Sequence, residues 1–457
     1  MRTCPPKIAR NISDVGAGVR RSARTRALAG YARSAGPRGP AARRAACRFT
    51  PVRRGAWASR DFRLLLVGRG LSSVGDSVVS VALPFAVLDL TGSVKDLGLV
   101  LAARMLPLAL FVLVGGVWAD RLSRRVVMLT SDAVRCAAQV GSAALVLAST
   151  THIWQLAALQ FLYGTGTAFF MPAAVAVVPQ TVAGKDIQHA NSLLSVAENV
   201  SSVGGPALAG AVVVAIGAGW GLMVDAASFA ASVALLAPMH LKPIGVPPRR
   251  SVVAELRAGW RSFASRTWLA ASVPSFMVVN ALGFSPLLVL GPVIAKDSLG
   301  GASAWAIILV AMGAGSLLGG VIGSRWAPRY PLRATLSFAL IGAPALLTLL
   351  AVAAPVPLLA LAALATGTAT ALFNLTWFTV LHRRIPADEL SRVSSWDSLG
   401  SFVATPLGLA LTGPIAIALG VEETLYLAAA VFVLATAANL AFPSVRNLDD
   451  GAEPERA

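Results

Sequence analysis

Twelve stretches of this chain are apolar for about 20 residues or more, and no other feature narrows its fold as far. They lie at roughly 62–88, 96–119, 125–149, 153–182, 190–217, 219–241, 268–294, 303–325, 332–354, 356–381, 390–419 and 422–442. A hydrocarbon core about 30 Å thick takes about 20 helical residues to cross, and only helices or closed barrels satisfy every backbone polar group inside it. The composition agrees: the 457 residues are 56% hydrophobic and 13% charged, whereas a soluble domain carries about 25% charged residues. The expected fold class is an all-α membrane protein with twelve transmembrane helices. Pro84, Pro107, Pro172, Pro206, Pro274, Pro286, Pro344 and Pro406 interrupt these stretches. Neighbouring helices can re-satisfy the backbone groups that such residues free.

Charge organises the rest. Residues 1–54 carry thirteen Arg and one Lys against Asp14 alone, so +13 of the formal +18 sits there. The segment is rich in Ala, Gly, Pro, Ser and Arg, and residues 1–55 are expected to form a disordered basic tail, because so little apolar surface cannot offset the entropy of ordering. No signal-peptide core is present. A transit peptide, a lipid-touching surface and an over-extended reading frame starting near Val52 all suit such a tail. The excess of 34 Arg over 5 Lys, a habit of high-GC bacterial genomes, favours the over-extended or solvated tail. Beyond residue 54, 20 of 25 basic residues fall in alternate loops and at the two ends, while the opposite loops hold only Lys95 and Lys296. That asymmetry places both termini in the cytoplasm. The longest loop divides the chain into an N-terminal six-helix bundle over 60–241, a linker over 242–267 and a C-terminal bundle over 268–443. A disordered tail over 444–457 follows. In the linker, Val252, Leu256, Trp260 and Phe263 recur at helical spacing with Arg257 and Arg261 between them. This pattern predicts an interfacial helix lying on the inner leaflet.

Several chemistries are excluded. Cys4, Cys47 and Cys136 form neither a disulfide framework nor a metal spacing, and His152, His189, His240 and His382 contain no H-x-x-x-H pair. There is no G-x-x-x-x-G-K-[ST] phosphate loop, so no nucleotide engine, cofactor or enzymatic activity is expected. Gly313, Gly315, Gly319 and Gly320 lie in an apolar stretch and suit close helix packing. With the basic excess confined to a tail and loops, a nucleic-acid partner is not expected.

The two halves repeat. Gly116-Val-Trp-Ala-Asp120-Arg121-Leu-Ser-Arg124-Arg125 matches Gly320-Val-Ile-Gly-Ser324-Arg325-Trp-Ala-Pro328-Arg329 at an offset of 204, and Gly164-Thr165 matches Gly367-Thr368 at 203. Parallel six-helix repeats related by an axis along the membrane normal characterise the major facilitator superfamily. The segment from Gly116 to Arg125 resembles that superfamily's signature loop between the second and third spans, with Ser123 where Gly is usual. Ser201-x-x-x-Gly205-Pro206-x-x-Ala209-Gly210 is similar to the span-five motif of drug/proton antiporters, with two Gly positions replaced by Ser and Ala. Ile385-Pro-Ala-Asp-Glu-Leu-Ser-Arg-Val resembles the branch containing macrolide-efflux proteins and the enterobactin exporter. The resemblance covers residues 60 to 445 and implies two pseudo-symmetric six-helix bundles that alternate access to a central site. It also implies that Asp120, with Arg121, Arg124 and Arg125, meets span eleven to hold the inner gate; the competing reading is that this cluster only enforces topology. Gly205, Pro206 and Gly210 serve either helix packing or transport direction.

Ionisable residues at bilayer depth cost about 2.5 kcal/mol or more each on insertion scales, so each needs a partner, a cavity or a function. Asp76 and Arg104 fall near the middle of adjacent antiparallel spans and can pair, either as a proton-coupling unit or as a structural ion pair. Arg69, two turns before Asp76, shares its face. Glu198 and Asp225 have no basic neighbour on their own helices and are candidate proton carriers, Glu198 the better placed beside the antiporter-like motif. Asp132 and Arg135 are expected to pair at i,i+3. Asp397 is a candidate gate partner for Arg121 or Arg124. Asn280 and Asn374, in the spans equivalent to one and four, are expected to face a cavity.

These observations lead to a monomeric secondary transporter in a bacterial cytoplasmic membrane. It is expected to export an amphipathic small molecule of the drug, macrolide or siderophore class in exchange for protons. The alternatives are a proton-independent importer or uniporter and, of another class, a transport-dead membrane receptor or assembly partner.

Overall fold

The computed structural model describes residues 55–119, 123–149, 152–241, 252–326 and 328–449, and among them every regular element is helical. A short turn, Gly55–Ala58, leads into α1 (Arg60–Thr91), α2 (Val94–Ala119), α3 (Arg124–Ala148), α4 (Ile153–Thr181), α5 (Ile187–Ile216) and α6 (Ala218–Leu236). The linker helix α7 (Val252–Ala264) precedes α8 (Thr267–Val278), a π-helical segment (Val279–Phe284) and α9 (Ser285–Ser298). Then come α10 (Ala302–Gly323), α11 (Pro331–Ala351), α12 (Val356–Arg384), α13 (Ala387–Phe402), α14 (Thr405–Leu419), α15 (Val421–Ala441) and the short α16 (Pro443–Arg446). Among the described residues ten helical stretches are long and apolar enough to cross a membrane, and α2 and α3, of 26 and 25 residues, occupy the two remaining expected positions.

Local chemistry sets the ends. Ser59 caps α1 by accepting from the Phe62 amide at 3.2 Å, and Gly92, at φ +63°, closes its other end with its N–H on the Leu88 carbonyl. Gly217 and Gly420 both take positive φ where α5 meets α6 and α14 meets α15, marking the same corner in the two halves. The seventh expected span is one continuous rod of α8, the π turn and α9. The eleventh breaks between Phe402 and Thr405, because Pro406 has no N–H to donate to the carbonyl four residues earlier, that of Phe402.

Packing follows the repeat. In the first half α1 lies against α5 and α6, and α4 against α2 and α3; in the second, α12 packs on α10 and α11, and α11 on α15. The halves meet where α14 packs on α2 and α10 on α5, two contacts exchanged by the pseudo-two-fold. A Cβ at Gly164 would overlap the Arg104 carbonyl of α2, and one at Gly367 would overlap the Met312 carbonyl of α10. The matched glycines found in the sequence are thus equivalent backbone crossings. Gly315 and Gly319 likewise lie directly against carbonyls of α12.

Two expectations change. The tail expected from residue 444 starts instead as α16. Val445 and Leu448 are buried with Trp268 and Leu332, and Asp449 accepts from Arg384 at 2.8 Å. The linker helix does not rest on lipid alone. Phe263 is buried beside Trp268, Trp260 lies 5.0 Å from the Trp396 ring of α13, and Glu389 accepts from Ser262 at 2.5 Å and Arg266 at 3.0 Å. The basic segment 1–54 lies outside the described residues.

Candidate functional site

The expected Asp76–Arg104 pair is present and belongs to a larger polar cluster between α1, α2, α3, α4 and α6. Arg104 Nη2 lies 3.4 Å from Asp76 Oδ1, and the Tyr163 hydroxyl donates to the same oxygen. Arg135 Nη1 lies 3.6 Å from Asp76 Oδ2. Arg135 also pairs with Asp132, as its spacing predicts, and Ser232 donates to the other Asp132 oxygen at 2.7 Å. Arg135 therefore bridges two acids. Its guanidinium lies over the Phe170 and Phe229 rings, 4.3 and 4.2 Å from their centroids, and Arg104 over Tyr163 at 3.9 Å. Such contacts solvate a cation where water is scarce.

A second branch runs inward through amides. Arg104 Nη1 donates to Gln160 Oε1 at 3.2 Å, and Gln160 donates to Gln139 at 2.9 Å and Ser142 at 3.1 Å. Gln139 Nε2 then donates to Asp225 Oδ2 at 2.6 Å. Asp225 is completely buried, whereas the Asp76 side chain remains 38% exposed. Gln139, Gln160 and Tyr163 are not among the residues expected from the sequence. Their signal is two glutamines and a tyrosine inside apolar stretches, which bilayer depth makes costly unless they are paired.

Other expected residues fall elsewhere. Glu198 is no unpaired buried acid: it is half exposed and accepts from Arg69 at 2.6 Å, which ties α5 to α1. Arg69 points to Glu198 rather than joining Asp76. The Asn280 amide donates to the Ser401 carbonyl at 3.1 Å and its own backbone carbonyl accepts from Ser285, so it joins helices across the π turn. Asn374 is exposed on α12, between the residues that meet α10, such as Ala371, and those that meet α8, such as Trp377. The expected gate contact of Asp397 is not formed with Arg124. Asp397 instead accepts from Trp377 Nε1 at 3.0 Å, while Arg124 donates to the Ala176 carbonyl at 2.5 Å and Arg125 to the Ala237 carbonyl. Gly116 lies within α2; Asp120 and Arg121 lie outside the described residues. In the antiporter-like motif, Gly205 packs on Ser77 of α1, Pro206 is buried within α5 without ending it, and Gly210 packs on Ala306 of α10.

The reason for the missing gate contact is the disposition of the halves. At the ends remote from the arginine-rich loops they are sealed. Lys296 meets Asp89 at 2.6 Å, Gly413 lies against Lys95, Gly98 against the Leu409 carbonyl, and Trp305 Nε1 donates to the Ser80 carbonyl at 3.4 Å. At the arginine-rich ends α5 and α10 part around a cavity of about 1020 Å³, lined by residues that include Asn191, Ser195, Gly320 and Ser324. The protein is open on one face and closed on the other.

Known proteins share this architecture. The family described as transmembrane secretion effector, MFS_3, matches residues 47–455. The multidrug efflux pump Tap of Mycolicibacterium fortuitum is 27% identical over 413 residues, spanning 86% of this chain and 98% of Tap. Macrolide efflux protein A of Streptococcus pyogenes is 27% identical over 150 residues, 32% of this chain and 36% of that protein. In fold, a crystal structure of a mutant of the nucleoside transporter NupG superposes with a TM-score of 0.72 at 13% identity, covering 83% of this chain and 99% of NupG. The chain is thus a multi-pass membrane transporter of the major facilitator fold, and it belongs to the transmembrane secretion effector family.

Proposed function

We propose that this protein exports an amphipathic small molecule of the drug, macrolide or siderophore class across a bacterial cytoplasmic membrane, as a monomer, in exchange for protons. In this reading twelve spans form two bundles over 60–241 and 268–443, both termini are cytoplasmic, and the open face is the cytoplasmic one. The excess of basic residues in the loops on that face supports the orientation, and the Tap relative supports efflux.

The observation that carries the coupling is Asp76. Its side chain is partly exposed and faces two arginines, Arg104 and Arg135. Protonating it removes the carboxylate that pairs with Arg104, while Arg135 keeps Asp132, and the freed Arg104 can then turn to another partner. Substrate arrival and proton binding thereby compete for one arrangement, which is what exchange requires. Glu198 with Arg69, on the wall between α1 and α5, offers a second polar point for an amphiphile.

The test is ethidium accumulation in cells carrying wild type or Asp76→Asn, with and without a protonophore. Expected are low accumulation in wild type, a rise with protonophore, and a high, protonophore-insensitive level in Asp76→Asn. Accumulation unaffected by either change refutes proton-driven efflux of this compound class.

A further inference from the structure

Among the described residues, the charges at bilayer depth in the first six helices do not balance. Asp76, Asp132 and Asp225 are opposed by Arg104 and Arg135, and adding the Arg69–Glu198 pair leaves the same excess of one acid among the described residues. Arginine does not deprotonate in proteins. One carboxyl in the cluster is therefore an uncompensated anion at bilayer depth, which is costly, or it carries a proton.

The contacts identify which one. Asp132 has Arg135 and Ser232; Asp76 has Arg104, Arg135 and Tyr163. Asp225 has no basic group within ion-pairing distance among the described residues. Its side chain has the Gln139 amide at 2.6 Å and the Ser228 hydroxyl 3.5 Å away, and that hydroxyl is 2.7 Å from Asp225's own carbonyl. Around it stand Gly75 and Asp76 on α1, Arg104 on α2, Arg135 and Cys136 on α3 and Tyr163 on α4. Every cation in that set is already engaged by another carboxylate. Gly75 leaves the Asp225 carboxyl directly against α1, beside Asp76, since a Cβ there would overlap Asp225 Oδ1.

We propose that Asp225 is a second proton-binding carboxyl of the transporter, neutral in this cavity-open state, which shares one proton with Asp76. With the proton on Asp225, Asp76 is an anion held by both arginines. When the proton passes to Asp76, one O–H bond breaks and another forms, Arg104 is released while Arg135 keeps Asp132, and the Gln160–Gln139 amides couple Arg104 to the new anion. The net charge of the cluster is zero in both forms. This inference rests on the proton-exchange reading above, yet its test can fail independently.

The experiment is infrared spectroscopy of the purified full chain in lipid at near-neutral pH, with ethidium-induced proton release measured in parallel. Wild type should show the C=O stretch of a buried protonated carboxyl. Asp225→Asn should lose that band, and it should lose proton release while still binding ethidium. Gln139→Leu, which removes the amide donor from Asp225, should shift the band, and it serves if Asp225→Asn does not fold. A band that persists in Asp225→Asn, or stays in place in Gln139→Leu, overturns the proposal. If wild type releases no proton while the band still depends on Asp225, the exchange reading fails and the assignment of the protonated carboxyl stands.

Discussion

Replacing Gly210 by Ala is expected to shift the protein away from the sealed arrangement seen here. Gly210 lies on α5, in the half remote from the arginine-rich loops, and a Cβ there would stand 2.6 Å from the Ala306 Cβ of α10. Carbon atoms prefer about 3.5–4.0 Å, so the two helices must part by about 1 Å or strain. Overpacking of this kind costs about 1–3 kcal/mol. The cost falls on the sealed state alone, because the contact joins the two bundles. At about 1.4 kcal/mol per tenfold, the equilibrium moves about 5- to 140-fold toward opening of that face. Spin labels at Thr91→Cys on α1 and Ser303→Cys on α10, both exposed, report the separation by dipolar spectroscopy. A longer distance should gain population in Gly210→Ala, and Ala306→Gly should restore the wild-type distribution by removing the opposing methyl. An unchanged distribution in Gly210→Ala, or no rescue by Ala306→Gly, refutes the reasoning.

Arg135→Met should lower the yield of folded, monodisperse protein, since removing one partner of a buried pair costs about 3–5 kcal/mol; Arg135→Lys should recover only part, lacking the planar fork that serves Asp132 and Asp76 together. Gly164→Ala and Gly367→Ala should each impair folding, as judged by size-exclusion profile, whereas Gly204→Ala and Gly320→Ala, which meet nothing within 4 Å, should not. Glu389→Ala removes the acceptor of both Ser262 and Arg266 and should speed trypsin cleavage at Arg257 and Arg261 by loosening α7 from α13; equal rates would refute a holding role for Glu389.

Much of the fold is legible in the sequence because lipid imposes a coarse rule. A helix that crosses it must be apolar over about 20 residues, so span positions and the two-half repeat can be read directly. The Asp132–Arg135 pair is legible too, because i,i+3 neighbours share a helix face. Glu198 is not, for the converse reason: its partner Arg69 is 129 residues away, on another helix. The same holds for Asp397, whose partner is Trp377 rather than a loop arginine. The ordered start of the C-terminal segment leaves little trace in composition because two apolar residues, Val445 and Leu448, suffice to dock it once a pocket exists.

The sequence by itself determined that this is a helical membrane protein with repeated halves and a few intramembrane charges, since burial in lipid and loop charge are properties of local composition. Only the tertiary structure decided which charges meet, that Arg135 serves two acids, that Asp225 is left without a cation of its own, and which face is open. Those outcomes depend on distances between helices far apart in the chain, and hydropathy, which treats each span separately, carries no information about them.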